Sequence, residues 1–197
     1  MNASRTRAGA DTADRILDVA QRLVQQRGYN GFSYADVAQE LGISTAALHY
    51  HFAGKAELGE ALVARYASRF SAALETIDAE PLDAPAKLAR YADLYADVFQ
   101  DQRMCLCGML AAEFQTLPDG MRDAVLRFFD DSETWLCGVL EAGEREGTLH
   151  FEGSVLEAAR TFLAGLEGAM LLARPSGDIE RLQAASRGLL IGLTTAP

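Results

Sequence analysis

From Ala13 to Arg27 the apolar residues Ile16, Leu17, Ala20, Leu23 and Val24 recur at helical spacing and line one face of a helix, and Gly28 is placed to end it. The same period returns further on. Leu88, Tyr91, Ala92, Tyr95, Val98 and Phe99 share a face, as do Val125, Phe128, Phe129, Ser132, Leu136, Val139 and Leu140. Phe162, Leu163, Leu166 and Met170 line another, and Leu182, Leu189, Leu190 and Leu193 a last one. Breaks separate these faces: Pro81 and Pro85 after a long pattern beginning near Lys55, then Leu117-Pro118-Asp119-Gly120, Gly147, and Arg174-Pro175-Ser176-Gly177. No stretch sustains the alternation of a strand, and the pattern predicts an all-α chain of about nine helices.

Residues 32–52 depart from this rhythm, with two short helices in quick succession. Ser33 is an N-cap with Asp36 three residues on, and Phe32 and Val37 form a staple pair. Gly42 stops that helix after about two turns, because the turn needs a positive φ. Ile43-Ser44 repeats the device: Ser44 caps, and Ile43 pairs with Leu48. Two capped helices joined by Leu41-Gly42-Ile43 make a helix-turn-helix, held by Val37, Ala38, Leu41, Ile43 and Leu48. The exposed face of the second helix carries Thr45, Ala46, Ala47, His49 and Tyr50, short or planar groups of the kind that reach base edges.

Charge at first opposes DNA binding. The 197 residues hold 18 basic and 28 acidic side chains, a net charge of −10. The distribution removes the objection. Residues 1–55 carry six basic groups (Arg5, Arg7, Arg15, Arg22, Arg27, Lys55) and five acidic ones, a balance of +1. The remaining 12 basic and 23 acidic groups leave −11 on the rest of the chain, which a phosphate backbone would repel. Residues Met1 to Asp11 are polar, without the apolar core of a secretory signal. The most apolar window, Val155 to Ala173, is interrupted by Glu157, Arg160 and Glu167, which argues against a membrane span. Three cysteines, Cys105, Cys107 and Cys137, form no complete disulfide framework, so reduced thiols in a cytoplasm are expected.

The run from Ser33 to Leu58, SYADVAQELGISTAALHYHFAGKAEL, resembles the DNA-binding domain of TetR-family repressors. Its end, aromatic-x-His-Phe-x-x-Lys-x-x-Leu, is more specific than a generic helix-turn-helix. The order of elements fits along the whole chain. His49 precedes Tyr50 where many members place the tyrosine one residue earlier, and Ala46 stands where glycine is frequent. The resemblance implies a DNA-binding domain over 11–58 and a ligand-binding and dimerisation domain over 59–197. It implies phosphate contacts by Ser33, Tyr34, Ser44, Tyr50, His51 and Lys55, and base-edge contacts by Thr45, Ala46 and His49. His51 serves equally well as a structural hydrogen-bonding residue, and Phe52 and Leu58 read as core.

One helix-turn-helix reads too few base pairs for specificity, so a homodimer on double-stranded operator DNA is expected. The resemblance implies a four-helix dimer interface from the last two helices, with Phe162, Leu166, Met170 and Leu189 as candidate contacts beside small Gly165, Gly168, Gly188 and Gly192. It also implies that the middle helices sense a small-molecule effector. Aromatic and sulfur-bearing residues are dense there, and Tyr66, Tyr91, Tyr95, Cys105, Cys107, Glu113 and Trp135 are the candidate ligand contacts. Glu113 ends an apolar run, and a buried carboxylate needs a partner. Cys105 and Cys107 lie near a helix start, where a thiol could react with an electrophile or oxidant; buried, inert thiols are the plainer alternative. A thiol-based metal protein or helical enzyme using Cys105, Cys107 and Cys137 is the alternative from another class. No acid–base pair or phosphate loop accompanies those thiols, so neither a cofactor nor an enzymatic activity is expected.

Overall fold

The structure, a computed structural model, describes residues 2–194, with side chains from Asp11 onward. Residues 1 and 195–197 lie outside the described residues, as do the side chains of residues 2–10, Arg5 and Arg7 among them, in the segment read above for a secretory signal. Among the described residues nine α-helices follow one another with no strand: α1 (Asn2–Arg27), α2 (Tyr34–Leu41), α3 (Thr45–His51), α4 (Lys55–Ala79), α5 (Ala84–Gln100), α6 (Leu106–Ala112), α7 (Asp119–Glu146), α8 (Val155–Ala173) and α9 (Ile179–Thr194). No helix among them is long and apolar enough to cross a membrane.

The chain forms two compact units. Residues up to Ala67 and residues 106–125 make the first; residues 68–105 and 126–197 make the second. In the first unit Ile16, Leu17, Ala20, Leu23 and Val24 are all buried, as the periodicity of α1 requires. Gly28 ends α1 with φ +83, and its N–H reaches the Val24 carbonyl. Ser33 and Asp36 form a capping box: Asp36 Oδ2 accepts the Ser33 N–H at 2.6 Å, and Ser33 Oγ accepts the Asp36 N–H at 3.3 Å. Gly42 closes α2 at φ 66, and the Ile43 N–H returns to the Ala38 carbonyl at 3.0 Å. Ser44 Oγ then accepts the Ala47 N–H and opens α3. Val37, Ala38 and Leu48 are buried between the two helices, while Leu41 and Ile43 are half-buried. An Arg22–Glu40 ion pair adds a tie from α1 to α2, and Arg65 of α4 pairs with Asp18 of α1 at 2.9 Å.

The second unit buries Leu88, Tyr91, Ala92, Tyr95 and Phe99 of α5 against the buried faces of α8 and α9. Its hydrophobic content lies where the helical period puts it. Phe162, Leu166 and Met170, candidates for a dimer contact, are at most 1% exposed within this one chain; they sit on the α8 face that forms the unit's own core. Leu189 is half-buried.

Three predicted helix starts shift: α1 begins at Asn2 and not at Ala13; Pro85, expected to bound a break, lies in the first turn of α5; and α7 also starts early. Asp119 and Gly120, expected inside a break, are the first two residues of α7. The Met121 and Arg122 N–H groups both donate to the Pro118 carbonyl at 3.0 Å, so the helix begins directly after the proline. The other breaks fall as expected, with Gly147 at φ 70 after α7 and a 3-10 turn at Arg174–Ser176 between α8 and α9.

Candidate functional site

In the first unit, the exposed face of α3 brings together Thr45, Ala46, His49 and Tyr50, with Ser44 at its start. Tyr50 is 86% exposed, the most exposed large hydrophobic residue described, although nothing in a small helical unit requires an aromatic ring in water. His51 is half-buried and meets the Tyr50 ring edge-on at 5.3 Å. His49 Nδ1 lies 3.1 Å from the Ala53 carbonyl. A carbonyl only accepts, so the tautomer that fits this contact carries its proton on Nδ1 and leaves Nε2 as an acceptor. Such an acceptor suits an amino group on a base edge.

Other residues selected from the sequence are engaged within the unit. The Tyr34 hydroxyl donates to the Phe52 carbonyl at 3.1 Å, and its ring lies 4.7 Å from His49. Burial pushes the Tyr34 phenol up to about 12, helped by the negative charge of Glu57. Ser33 Oγ lies 2.5 Å from Asp36 Oδ2, and these hydrogen bonds hold the Asp36 carboxyl below its usual range. Ser44 Oγ, by contrast, accepts one N–H and keeps its own proton to donate. Lys55 Nζ donates to the Phe32 carbonyl at 2.5 Å and lies 4.6 Å and 4.4 Å from the ring centres of Tyr29 and Phe32. Burial lowers its pKa, against the carboxylates of Glu113 and Asp36.

The candidate ligand contacts divide between the units. Tyr66, Cys107 and Glu113 belong to the first. Tyr66 and Cys107 are buried there, and Glu113 accepts the backbone N–H of Tyr29 at 2.5 Å and that of Asn30 at 3.3 Å. The partner its carboxylate needed is therefore a main-chain turn. Tyr91, Tyr95, Cys105 and Trp135 belong to the second unit, and they cluster. Trp135 stacks on Tyr91 at 5.4 Å and 16°, and the Tyr91 and Tyr95 hydroxyls are 3.4 Å apart. The Phe70 ring meets both tyrosines edge-on.

The residue that completes this cluster was not selected from the sequence. Glu167 of α8 is half-buried, with its carboxyl end turned in beside Cys105 and Tyr95; burial pushes the carboxyl up to about 6, against hydrogen bonds from the Cys105 thiol and the Tyr95 hydroxyl. Its Oε1 is buried and accepts no hydrogen bond. The signal was present as the acid interrupting the apolar window 155–173. Helical spacing puts it four after Leu163 and three before Met170, both buried. A cleft of about 270 Å³ on the same unit is lined by Asp78, Leu82, Lys87, Trp135 and Glu146 among others. At its edge the Trp135 Nε1–H donates to Asp78 Oδ2 at 2.8 Å. Among the described residues, no group of three or more His, Cys, Asp or Glu side chains is placed to hold a metal ion.

Two family models match the chain: bacterial regulatory proteins, tetR family, over residues 16–62, and the tetracyclin repressor-like C-terminal domain over 84–189. A TetR-family transcriptional regulator from Agrobacterium tumefaciens has a similar structure, with a TM-score of 0.91 and 34% identity over 95% of this chain and 100% of that one. The HTH-type transcriptional repressor NemR of Escherichia coli K12 is 26% identical over 181 residues, 89% of this chain and 90% of NemR. The HTH-type transcriptional repressor BepR of Brucella suis is 28% identical over 180 residues, 83% of this chain and 81% of BepR.

Proposed function

The chain belongs to the TetR family of bacterial regulatory proteins and is a DNA-binding transcriptional repressor controlled by an effector, and from that premise we propose how its own residues divide the work. Residues 11–58 are the DNA-binding domain and 59–197 the ligand-binding and dimerisation domain, acting in the cytoplasm on double-stranded operator DNA. The α3 face carries the reading: Thr45, Ala46 and His49 at base edges, with Ser44 and Tyr50 on flanking phosphates. The observation that supports it best is Tyr50, a ring 86% exposed at the foot of two capped helices whose other aromatics are engaged. Ser33, Tyr34 and Lys55 serve mainly by holding α2, α3 and α4 in register, since their polar atoms are already used within the unit.

A homodimer doubles the half-site and matches two successive major grooves. Leu171, Leu172 and Ile191 on α8 and α9 are 57%, 66% and 58% exposed, and they favour a partner surface there beside Leu189. The effector binds the Tyr91, Tyr95, Cys105 and Trp135 cluster. It releases the operator only as far as it prefers the non-binding state of the dimer, because equal affinity for both states shifts nothing.

The test is duplex binding. The full-length protein is titrated onto a labelled fragment from upstream of its own gene and onto a shuffled duplex of equal length, for wild type and Tyr50→Ala. Tight wild-type binding to the first fragment, weakened in the variant, is expected. Equal weak binding of both duplexes by both proteins would contradict the assignment.

A further inference from the structure

Inside the second unit, Glu167 places a carboxyl group in an aromatic setting with half of its accepting capacity unused. Oε1 is buried without a hydrogen bond, and the groups acting on the carboxyl are a thiol and a phenol, Cys105 and Tyr95. No arginine or lysine is among them. A carboxylate kept from water with neither a cation nor a full set of donors is costly to a fold, and a natural sequence retains one chiefly where something else completes it. The surroundings indicate what that is. Tyr91 and Tyr95 lie 5.6 Å apart, Phe70 meets both edge-on, and Phe162 stands 6.2 Å from Tyr91. Ring faces carry negative quadrupole potential, so this wall and the carboxyl attract the same species: a compact cation with N–H donors and an apolar body. Trp135 both stacks on Tyr91 and lines the 270 Å³ cleft, so the cluster and that cleft share a wall.

We propose that Glu167 is the anchor of a binding site for a small protonated amine, its ammonium N–H groups donating to the free Oε1 and its apolar body lying among Tyr91, Tyr95 and Trp135. This rests on the assignment of the second unit as the effector-binding part and names the chemical class of the effector. Glu167 separates an amine from a neutral molecule of the same shape, because only the amine supplies the missing charge as well as a donor.

The experiment uses full-length protein without DNA, so its outcome is independent of operator binding. Benzylamine, protonated at neutral pH, and benzyl alcohol, its neutral counterpart, are titrated while the fluorescence of Trp135, the single tryptophan of the chain, is followed. Saturable binding of benzylamine at least about tenfold tighter than benzyl alcohol is expected for wild type, which needs no variant to be read. Glu167→Gln keeps a hydrogen-bonding group of the same size, and it should abolish the preference while leaving the circular-dichroism spectrum unchanged. Asp93→Asn, at an exposed carboxylate of α5 outside the cleft, should retain the preference. Equal affinity for the two probes, no saturable amine binding, or a preference lost in Asp93→Asn but kept in Glu167→Gln would each overturn the proposal. Operator binding with no amine preference defeats this inference alone; an amine preference without operator binding defeats only the assignment of the α3 face.

Discussion

Glu113 Oε2 accepts the backbone N–H of Tyr29 at 2.5 Å, joining residues 84 positions apart. The same carboxylate reaches the N–H of Asn30, and Asn30 Nδ2 donates to Thr116 Oγ1 at 2.7 Å. The N–H groups just past the end of α1 are thus satisfied by the segment that follows α6. The approach is close because residue 28 is glycine: at φ +83 a side chain would be strained, and its Cβ would stand 2.8 Å from the Glu113 carboxylate oxygens.

Glu113→Ala should therefore destabilise the protein by about 1.5–3 kcal/mol, the usual cost of losing charge-assisted hydrogen bonds at a half-buried turn. Gly28→Ala should cost at least about 1 kcal/mol, from backbone strain and displacement of the same carboxylate. Denaturant titration measures both. Because the two substitutions attack one contact, the double variant should lose less than the sum of the single losses.

Lys55 and Tyr50 both belong to the DNA-binding motif, but their surroundings predict different phenotypes. Lys55→Met removes an ammonium from the Phe32 carbonyl and two ring faces, and it should lower stability by about 1–2 kcal/mol as well as weaken operator binding. Tyr50→Ala alters an exposed ring and should change stability by less than about 0.5 kcal/mol. Its operator affinity should nevertheless fall about tenfold. Melting curves beside duplex titrations separate the two; an unchanged melting temperature in Lys55→Met would show that its ammonium acts on DNA alone.

Glu167 gives a pH signature. Its carboxyl is raised in the folded state from 4.5 to about 6, so the folded protein holds this proton more tightly than the unfolded chain. The contribution is intact below pH 4.5, is lost as the pH climbs to about 6, and stays lost above that. Glu167→Gln has no proton to lose. Relative to wild type its stability should rise by roughly 1–2 kcal/mol across this window and stay level beyond it. Denaturation curves at pH 4, 5, 6 and 7.5 test the sign, and a difference that shrinks with rising pH would refute it. The same change that removes amine binding should thus lessen the stability that the protein loses as the pH rises.

The cysteines differ in access. Cys105 and Cys107 are 2% and 0% exposed, and Cys137 is half-buried. Burial and the neighbouring carboxylates of Glu141 and Glu133 raise the Cys137 thiol, with Arg160 opposing. In native protein an aromatic disulfide reagent should modify Cys137 alone, slowly at neutral pH, and all three thiols after unfolding. Prompt native modification of Cys105 or Cys107, located by mass spectrometry, would instead support that cysteine as an electrophile sensor.

The helix-turn-helix was legible in the sequence because its determinants are local. Ser33 with Asp36, Gly42 with Ile43, and Ser44 with Ala47 act over one to three residues, so their hydrogen bonds can be read without knowing the fold. Helical periodicity likewise marked Ile16 to Val24 and Leu88 to Phe99 as buried faces. The start of α7 lay two residues earlier than expected, since Pro118 opens a helix as readily as it ends one. What the sequence left open was the partner of each polar group. The helical period brought Phe162, Leu166 and Met170 to one face but did not say whether a second chain or their own unit covers it. Nor did it show that Lys55 turns to the Phe32 carbonyl, that Glu113 answers a turn 84 positions away, or that Glu167 meets Cys105 and Tyr95. Secondary structure follows from neighbours along the chain. A charge is settled by whichever donors the folded chain brings within about 3 Å, and only the tertiary structure decides which those are.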